Sequence, residues 1–249
     1  MTISRYCLSK TRLRLINGKQ RCEQCDAKQH CLNSWLDNEY ISEIDKITLA
    51  RGTFQAGQAV YRMEDLFRSL FIVQTGSVKV EKTLEYGTKH VNGFYFQGDL
   101  FGFKSIGNTT YGYDAIALET TRICKIPYNK LESLCSSIPH LQKMITTLLA
   151  GKMNQANEML IDSRYMAADK RLLLFLKGLC ERNLVQIQNN KGRIHLPMSK
   201  SDLASYLGIR AESLSRVLAS LQRQGVMRNY TKYIEIDDLD AAMRLICKS

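Results

Sequence analysis

Cys22, Cys25 and Cys31 stand close together near the start of the chain, spaced C-x2-C-x5-C. That spacing turns several soft sulfur ligands onto one point, and in a reducing compartment such a group usually holds metal. Three sulfurs close neither a tetrahedral site nor a cubane. A fourth ligand must come from elsewhere, and Cys124, far downstream, is the best candidate. A metal centre tied to both an N-terminal arm and a distant domain can change the protein's shape when it is built or lost. Zinc is one possible occupant, although four-cysteine zinc sites typically use two C-x2-C knuckles, and one such pair is present.

A second group of residues could read DNA. Residues 198–227 run MSKSDLASYLGIRAESLSRVLASLQRQGVM. Ser199 fits the N-cap of a first helix, with Asp202 three residues on as its capping-box partner and Leu203 and Leu207 facing in. Gly208 permits a tight turn, which Ile209 plugs. A second helix is expected over 211–224, with Leu214, Val217, Leu218 and Leu221 facing in and Gly225 ending it. Two short helices joined through a glycine turn in a basic region indicate a helix-turn-helix. The outward face of the second helix carries Glu212, Ser215 and Arg216 near its N-terminus, the end that reaches base edges. Arginine pairs with guanine O6 and N7, glutamate accepts from cytosine N4, and serine contacts either kind of edge. The plain alternative is a solvated face with an i,i+4 pair between Glu212 and Arg216. Strands near residues 192–196 and 230–236 would form a wing, placing Lys191, Arg193, Arg228 and Lys232 over phosphates. Ser199, Lys200 and Ser201 are expected at phosphates too. Such contacts position a protein without specifying sequence.

The remaining residues must hold these groups in place. The 249 residues suffice for one large domain or two modest ones. The formal charge is +11, and residues 1–21 carry six basic side chains and no acid. That favours an anionic partner, nucleic acid or an acidic membrane surface. No run of roughly 18 apolar residues could span a membrane. Arg5, Lys10, Arg12, Arg14, Lys19 and Arg21 interrupt any signal-peptide core. The expected location is therefore the cytoplasm, where the eight cysteines are thiols or ligands rather than disulfides.

Residues 37–47 read as a short helix with Ile41, Ile44 and Ile47 on one face. Over residues 48–126, short apolar runs such as Leu70-Phe71-Ile72-Val73 alternate with turn signals at Gly57, Gly76, Gly87, Gly98 and Gly107. That texture predicts an antiparallel sandwich or barrel. After Pro139 a long helix is expected. Leu149, Met153, Ala156, Leu160, Ser163 and Ala167 fall at spacings of four and three, which is either a dimer seam or a face packed on the chain's own β domain. Beyond Asp169 come short helices and two strands, with Lys191-Gly192 and Tyr230-Thr231-Lys232 as tight turns.

A β-roll, a long helix and a C-terminal winged helix-turn-helix, in that order, resemble the CRP/FNR family of bacterial transcription regulators. The cysteines narrow the resemblance to the oxygen-responsive FNR branch. Its most specific points are the three N-terminal cysteines, GDLFGF at 98–103, ALETTRICKIP at 117–127 and YLGIRAESLSR at 206–216. The resemblance implies an α+β fold with a cysteine-rich arm (1–35), a cyclic-nucleotide-binding-like β-roll (36–138), a dimerisation helix (139–168) and a winged helix-turn-helix domain (169–249). It implies a 4Fe–4S cluster on Cys22, Cys25, Cys31 and Cys124 that promotes dimerisation and is degraded by oxygen. It implies base reading by Glu212, Ser215 and Arg216 at a palindrome resembling TTGAT-N4-ATCAA, with RNA polymerase met by the turn at residues 84–89. The stretch GDLFGFKSIGNTTYGYDA has no arginine to match the phosphate-binding pattern of the cyclic AMP-binding branch, so no cyclic nucleotide is expected.

The chain departs from FNR proteins in three places. Asp26 and His30 stand where they carry Ser and Leu, and Ala156 stands where an acidic residue can occur. A leucine over the implied cluster would keep water and oxygen away and the first two would not, so a more reactive or less stable cluster is expected. The third removes a carboxylate that would oppose helix pairing at the dimer axis. Cys7, Cys135, Cys180 and Cys247 match no ligand position, and Cys135 and Cys180 read as packing residues. Two rivals remain at this stage. One is the same fold with zinc or plain thiol chemistry. The other is an enzyme or electron carrier, against which stands the lack of any phosphate-binding Gly-rich loop, nucleophile elbow or His-rich motif.

Overall fold

A computed structural model of the chain describes residues 22, 25, 27, 31, 38–182, 185–188 and 191–236. Cys7, Asp26, His30 and Cys247 lie outside the described residues, as does the basic arm before Cys22. Helix α1 (Asn38–Ile47) buries Ile41 and Ile44, as the spacing predicted. Eight strands follow: β1 (Leu49–Phe54), β2 (Ala59–Tyr61), β3 (Ser69–Thr75), β4 (Val78–Thr83), β5 (Lys89–Tyr95), β6 (Leu100–Phe101), β7 (Asp114–Ala117) and β8 (Thr121–Pro127). They form two four-stranded sheets, ordered β1-β8-β3-β6 and β2-β7-β4-β5, with antiparallel pairing throughout.

Strands β3 and β8 are covered on both faces, which is why their sequences are apolar without alternation. Phe71, Val73 and Ile123 point between the sheets, where they meet Tyr61, Val78, Val80, Phe101 and Tyr111. Leu70, Ile72, Cys124 and Ile126 point the other way, into a cluster with Ile41 and Ile44. The predicted turn glycines 57, 76, 87, 98 and 107 all have positive φ. At Gly76 a side chain would also meet Thr121 Oγ1 at 2.6 Å.

Helices α2 (Tyr128–Ser137) and α3 (Pro139–Tyr165) come next. The first turns of α3 pack on the β-roll through Leu141, Met144, Ile145 and Leu148. Farther along, Met153 is 68%, Leu160 58% and Tyr165 83% exposed. The expected stripe is therefore present, but it ends earlier than its spacing implied. Met166 and Ala167 are extended, and Ala167 is the N-cap of α4 (Ala168–Glu181). Spacing alone does not register a break of two residues between helices whose apolar patterns run on.

The C-terminal unit continues with β9 (Val185–Gln188), β10 (Lys191–His195), α5 (Lys200–Leu207), α6 (Ala211–Arg223), β11 (Met227–Asn229) and β12 (Tyr233–Ile236). Its sheet has four strands, ordered β11-β12-β10-β9, where two were expected. Lys191-Gly192 is not a turn. Gly192 pairs with Ile236 on one side and Ile187 on the other, inside a central strand. The Tyr230–Lys232 turn stands as expected, closed by Tyr230 N–H donating to Tyr233 O at 3.0 Å. Among the described residues no helix is long and apolar enough to cross a membrane.

Candidate nucleic-acid interface and cysteine site

Local chemistry fixes the two helices of the C-terminal unit. Ser199 Oγ accepts from Asp202 N–H at 3.0 Å, capping α5, and donates to Asp202 Oδ2 at 2.8 Å. The return half of the box thus runs between side chains. Gly208, left-handed at φ 65°, ends α5. Arg171 of α4 then donates to Leu207 O at 2.7 Å, a C-terminal cap that no local motif announces. Leu214, Leu218 and Leu221 bury one side of α6 against Leu172, Leu176, Leu203 and Ile234. The opposite side leaves Glu212, Ser215 and Arg216 exposed together. Ser215 Oγ donates back to Ala211 O. Among the described residues Glu212 and Arg216 are in no ion pair, so the i,i+4 pairing does not form.

Lys200 and Ser201 are exposed at the start of α5, beside Ser199. Lys232 is exposed at the tip of the β11–β12 hairpin, and Arg228 is exposed on β11. Arg193 is engaged within the sheet: its guanidinium lies 4.0 Å from the Tyr233 ring centroid and 3.3 Å from Glu235. Of the side chain of Lys191 nothing is described.

The β-roll grips this unit directly, through contacts that the sequence reading did not find. Lys79 Nζ lies 2.6 Å from Asp202 Oδ1 and 2.8 Å from Glu81 Oε2. Glu81 is 1% exposed and also meets Lys89 at 2.8 Å. Burial pulls the Lys79 ammonium down, but the hydrogen bonds and charges of Asp202 and Glu81 outweigh it and leave the pKa raised. Ser205 of α5 accepts from Val91 N–H at 3.0 Å and donates to Lys89 O at 3.3 Å, covering the edge of β5. Phe94, Phe175 and Tyr206 pack with ring centroids 5.1–6.0 Å apart. Arg182 meets Asp99. These partners are far apart in sequence. The VKVEK alternation of β4 marks Lys79 and Glu81 as neighbours but names no distant partner.

At the other end of the roll, Cys22, Cys31 and Cys124 are buried in the same apolar cluster. Cys124 sits in β8 opposite Ile72 of β3. Cys22 N–H donates to Asp45 Oδ1 of α1 at 3.2 Å, and Cys25 N–H donates to Cys22 O at 3.3 Å. Gln74 Nε2 donates to Cys25 Sγ at 3.6 Å. Among the described residues no three His, Cys, Asp or Glu side chains form a metal-binding group. Cys22, Cys31 and Cys124 lie mainly among aliphatic side chains, and together with Cys25 they would offer an all-sulfur donor set that suits a soft thiolate-ligated centre. Cys135 and Cys180 are half-buried against two apolar clusters. Burial, with Glu132 and Glu181 nearby, pushes these two thiols up, which makes them poorer ligands.

Known proteins share this architecture. Residues 51–137 match the cyclic nucleotide-binding domain family, and residues 170–244 match the Crp-like helix-turn-helix domain. The fumarate and nitrate reduction regulatory proteins of Salmonella typhi and Escherichia coli K12 are each 30% identical over 224 residues. Those residues are 90% of this chain and 89% of the relative. The solved structure of FixK2 from Bradyrhizobium japonicum superposes with a TM-score of 0.70 at 22% identity, covering 79% of this chain and 96% of that one. An antiparallel β-roll, a long helix and a helix-turn-helix with an open recognition face are thus joined to extended similarity in sequence, and the chain belongs to the CRP/FNR family of DNA-binding transcription regulators.

Proposed function

We propose that this chain is an oxygen-responsive transcription regulator that carries a 4Fe–4S cluster on Cys22, Cys25, Cys31 and Cys124. The observation that carries the reading is the burial of Cys22 and Cys31 in one apolar cluster with Cys124 of β8. When bound, the cluster supplies a redox-active, oxidant-labile link between the N-terminal arm and the β-roll. The chain's own residues provide the rest. Asp45 of α1 holds the Cys22 backbone, and Ile41, Ile44, Leu70 and Ile72 limit water around the sulfurs.

Two copies pair through Leu149, Met153, Ala156 and Leu160 of α3. The exposure of Met153 and Leu160 in the single chain supports this seam. A dimer presents two α6 helices to half-sites one turn of DNA apart. Glu212, Ser215 and Arg216 read a palindrome resembling TTGAT-N4-ATCAA, while Ser199, Lys200, Ser201 and Lys232 hold phosphates. Cyclic nucleotide plays no part. The roll interior is filled by Tyr61, Phe71, Phe101 and Tyr111, whose rings lie 3.9–6.2 Å apart. RNA polymerase is met by the turn at residues 84–89, where Leu84 is exposed. The protein acts in the cytoplasm.

The deciding experiment is an absorbance spectrum with iron and sulfide assays on protein purified without oxygen. A brown protein with about four irons and four sulfides per chain, bleaching in air, is expected. A protein that stays colourless after anaerobic reconstitution would leave a family regulator whose cysteines bind zinc or act as thiols.

A further inference from the structure

We infer that Gln74 is a positioning residue for the cysteine site, hydrogen-bonded to the sulfur of Cys25 and tuning whatever that sulfur ligates. The inference rests on the cluster reading above. Strand β3 is apolar from Leu70 to Val73 and covered on both faces, so an amide is out of place in it. Yet Gln74 follows directly and is 2% exposed. The ladder bends there. Val73 pairs with Ile123 and Thr75 with Arg122, so Gln74 is the extra residue of a bulge. Bulges recur beside functional sites. Alternation from Leu70 and Ile72 puts the Gln74 side chain on the cysteine side of β3, where Nε2 donates to Cys25 Sγ at 3.6 Å, joining residues 49 apart in sequence.

The strand that carries Gln74 also pairs with the strand that carries Cys124, through Ile72 and Cys124. Gln74 thereby links the two halves of the donor set, the arm cysteine and the roll cysteine, through one strand. A donor aimed at a thiolate draws electron density from the sulfur. It stabilises the more reduced state of a thiolate-bound cluster, and hydrogen bonds to the sulfurs are among the main determinants of cluster potential. Partners of this kind also orient ligands, and losing one typically costs roughly tenfold or more in metal affinity. An aliphatic residue at this position would fill the space as well, so packing alone does not account for the amide.

The test compares wild type with Gln74→Met and Gln74→Leu, both apolar and of similar size. Each is loaded anaerobically, assayed for iron and sulfide, titrated for midpoint potential by absorbance, and followed through an air pulse. Far-UV circular dichroism checks the fold. The expected result is a natively folded variant whose potential is more negative and whose cluster bleaches several-fold faster, or one that no longer retains iron. Variants that load fully and match wild type in both potential and lifetime would overturn the role of Gln74 alone. A wild-type protein that takes up neither iron nor sulfide would overturn the cluster reading itself, and this inference with it.

Discussion

Lys79 should be the most sensitive charged residue between the β-roll and the helix-turn-helix, and replacing it should cost far more than replacing its partner. Its ammonium lies 2.6 Å from Asp202 and 2.8 Å from Glu81, with Lys79 14% and Asp202 18% exposed. Lys79→Met leaves Glu81, 1% exposed, beside Asp202, with Lys89 as its remaining cation at 2.8 Å. Removing one partner from a buried pair costs about 3–5 kcal/mol. Residual exposure at Asp202 argues for the lower end, about 3 kcal/mol. Asp202→Asn leaves Lys79 paired to Glu81 and keeps an acceptor for Ser199, so about 1 kcal/mol is expected. The assay is urea unfolding of both single variants and the double variant, with a coupling energy of about 1–2 kcal/mol between the sites. Equal losses from the two single variants, or a Lys79→Met loss below about 0.5 kcal/mol, would refute the reasoning. The pH dependence follows from the same contacts. The folded pKa of Lys79 is raised above its ordinary value of 10.5. The pair's contribution is therefore fully present below that value and disappears as pH climbs through the folded pKa.

Three further outcomes are expected. Sedimentation of the cluster-free protein should show dimer, because Ala156 places no carboxylate at the seam; Leu160→Glu should return it to monomer, and a clean wild-type monomer would contradict the Ala156 argument. Arg216→Ala should weaken binding to the palindrome by about 1–3 kcal/mol and leave non-specific binding unchanged, whereas Lys232→Ala should weaken all sequences alike and lower the salt slope by about 1, both read by fluorescence anisotropy across a salt series. Cys124→Ser should abolish iron retention while Cys135→Ser leaves it intact, and His30→Leu with Asp26→Ser should lengthen the cluster's survival in air against the wild-type rate.

The features legible in the sequence were those that a few neighbouring residues decide. Ser199, Asp202 and Gly208 fix the start and stop of α5 through contacts within a turn, and the spacing of Leu214, Leu218 and Leu221 dictates which side of α6 faces water. The turn glycines worked for the same reason: each requirement is a single backbone angle. The stripe on α3 was legible in period but not in extent, since Ala167 continues the spacing after the helix has ended. What stayed hidden was decided by partners tens to more than a hundred residues apart, such as Arg171 with Leu207 and Lys79 with Asp202. Glu81 shares with Lys79 the face of β4 opposite Val78 and Val80, which alternation assigns to solvent, but the C-terminal unit covers that face and leaves the carboxylate buried. That carboxylate is tolerated because Lys79 and Lys89 converge on it, and Lys79 in turn reaches the cap of α5. The helix end expected at DNA phosphates is therefore the same one that the roll holds, by Lys79 at Asp202 and by the β5 edge at Ser205.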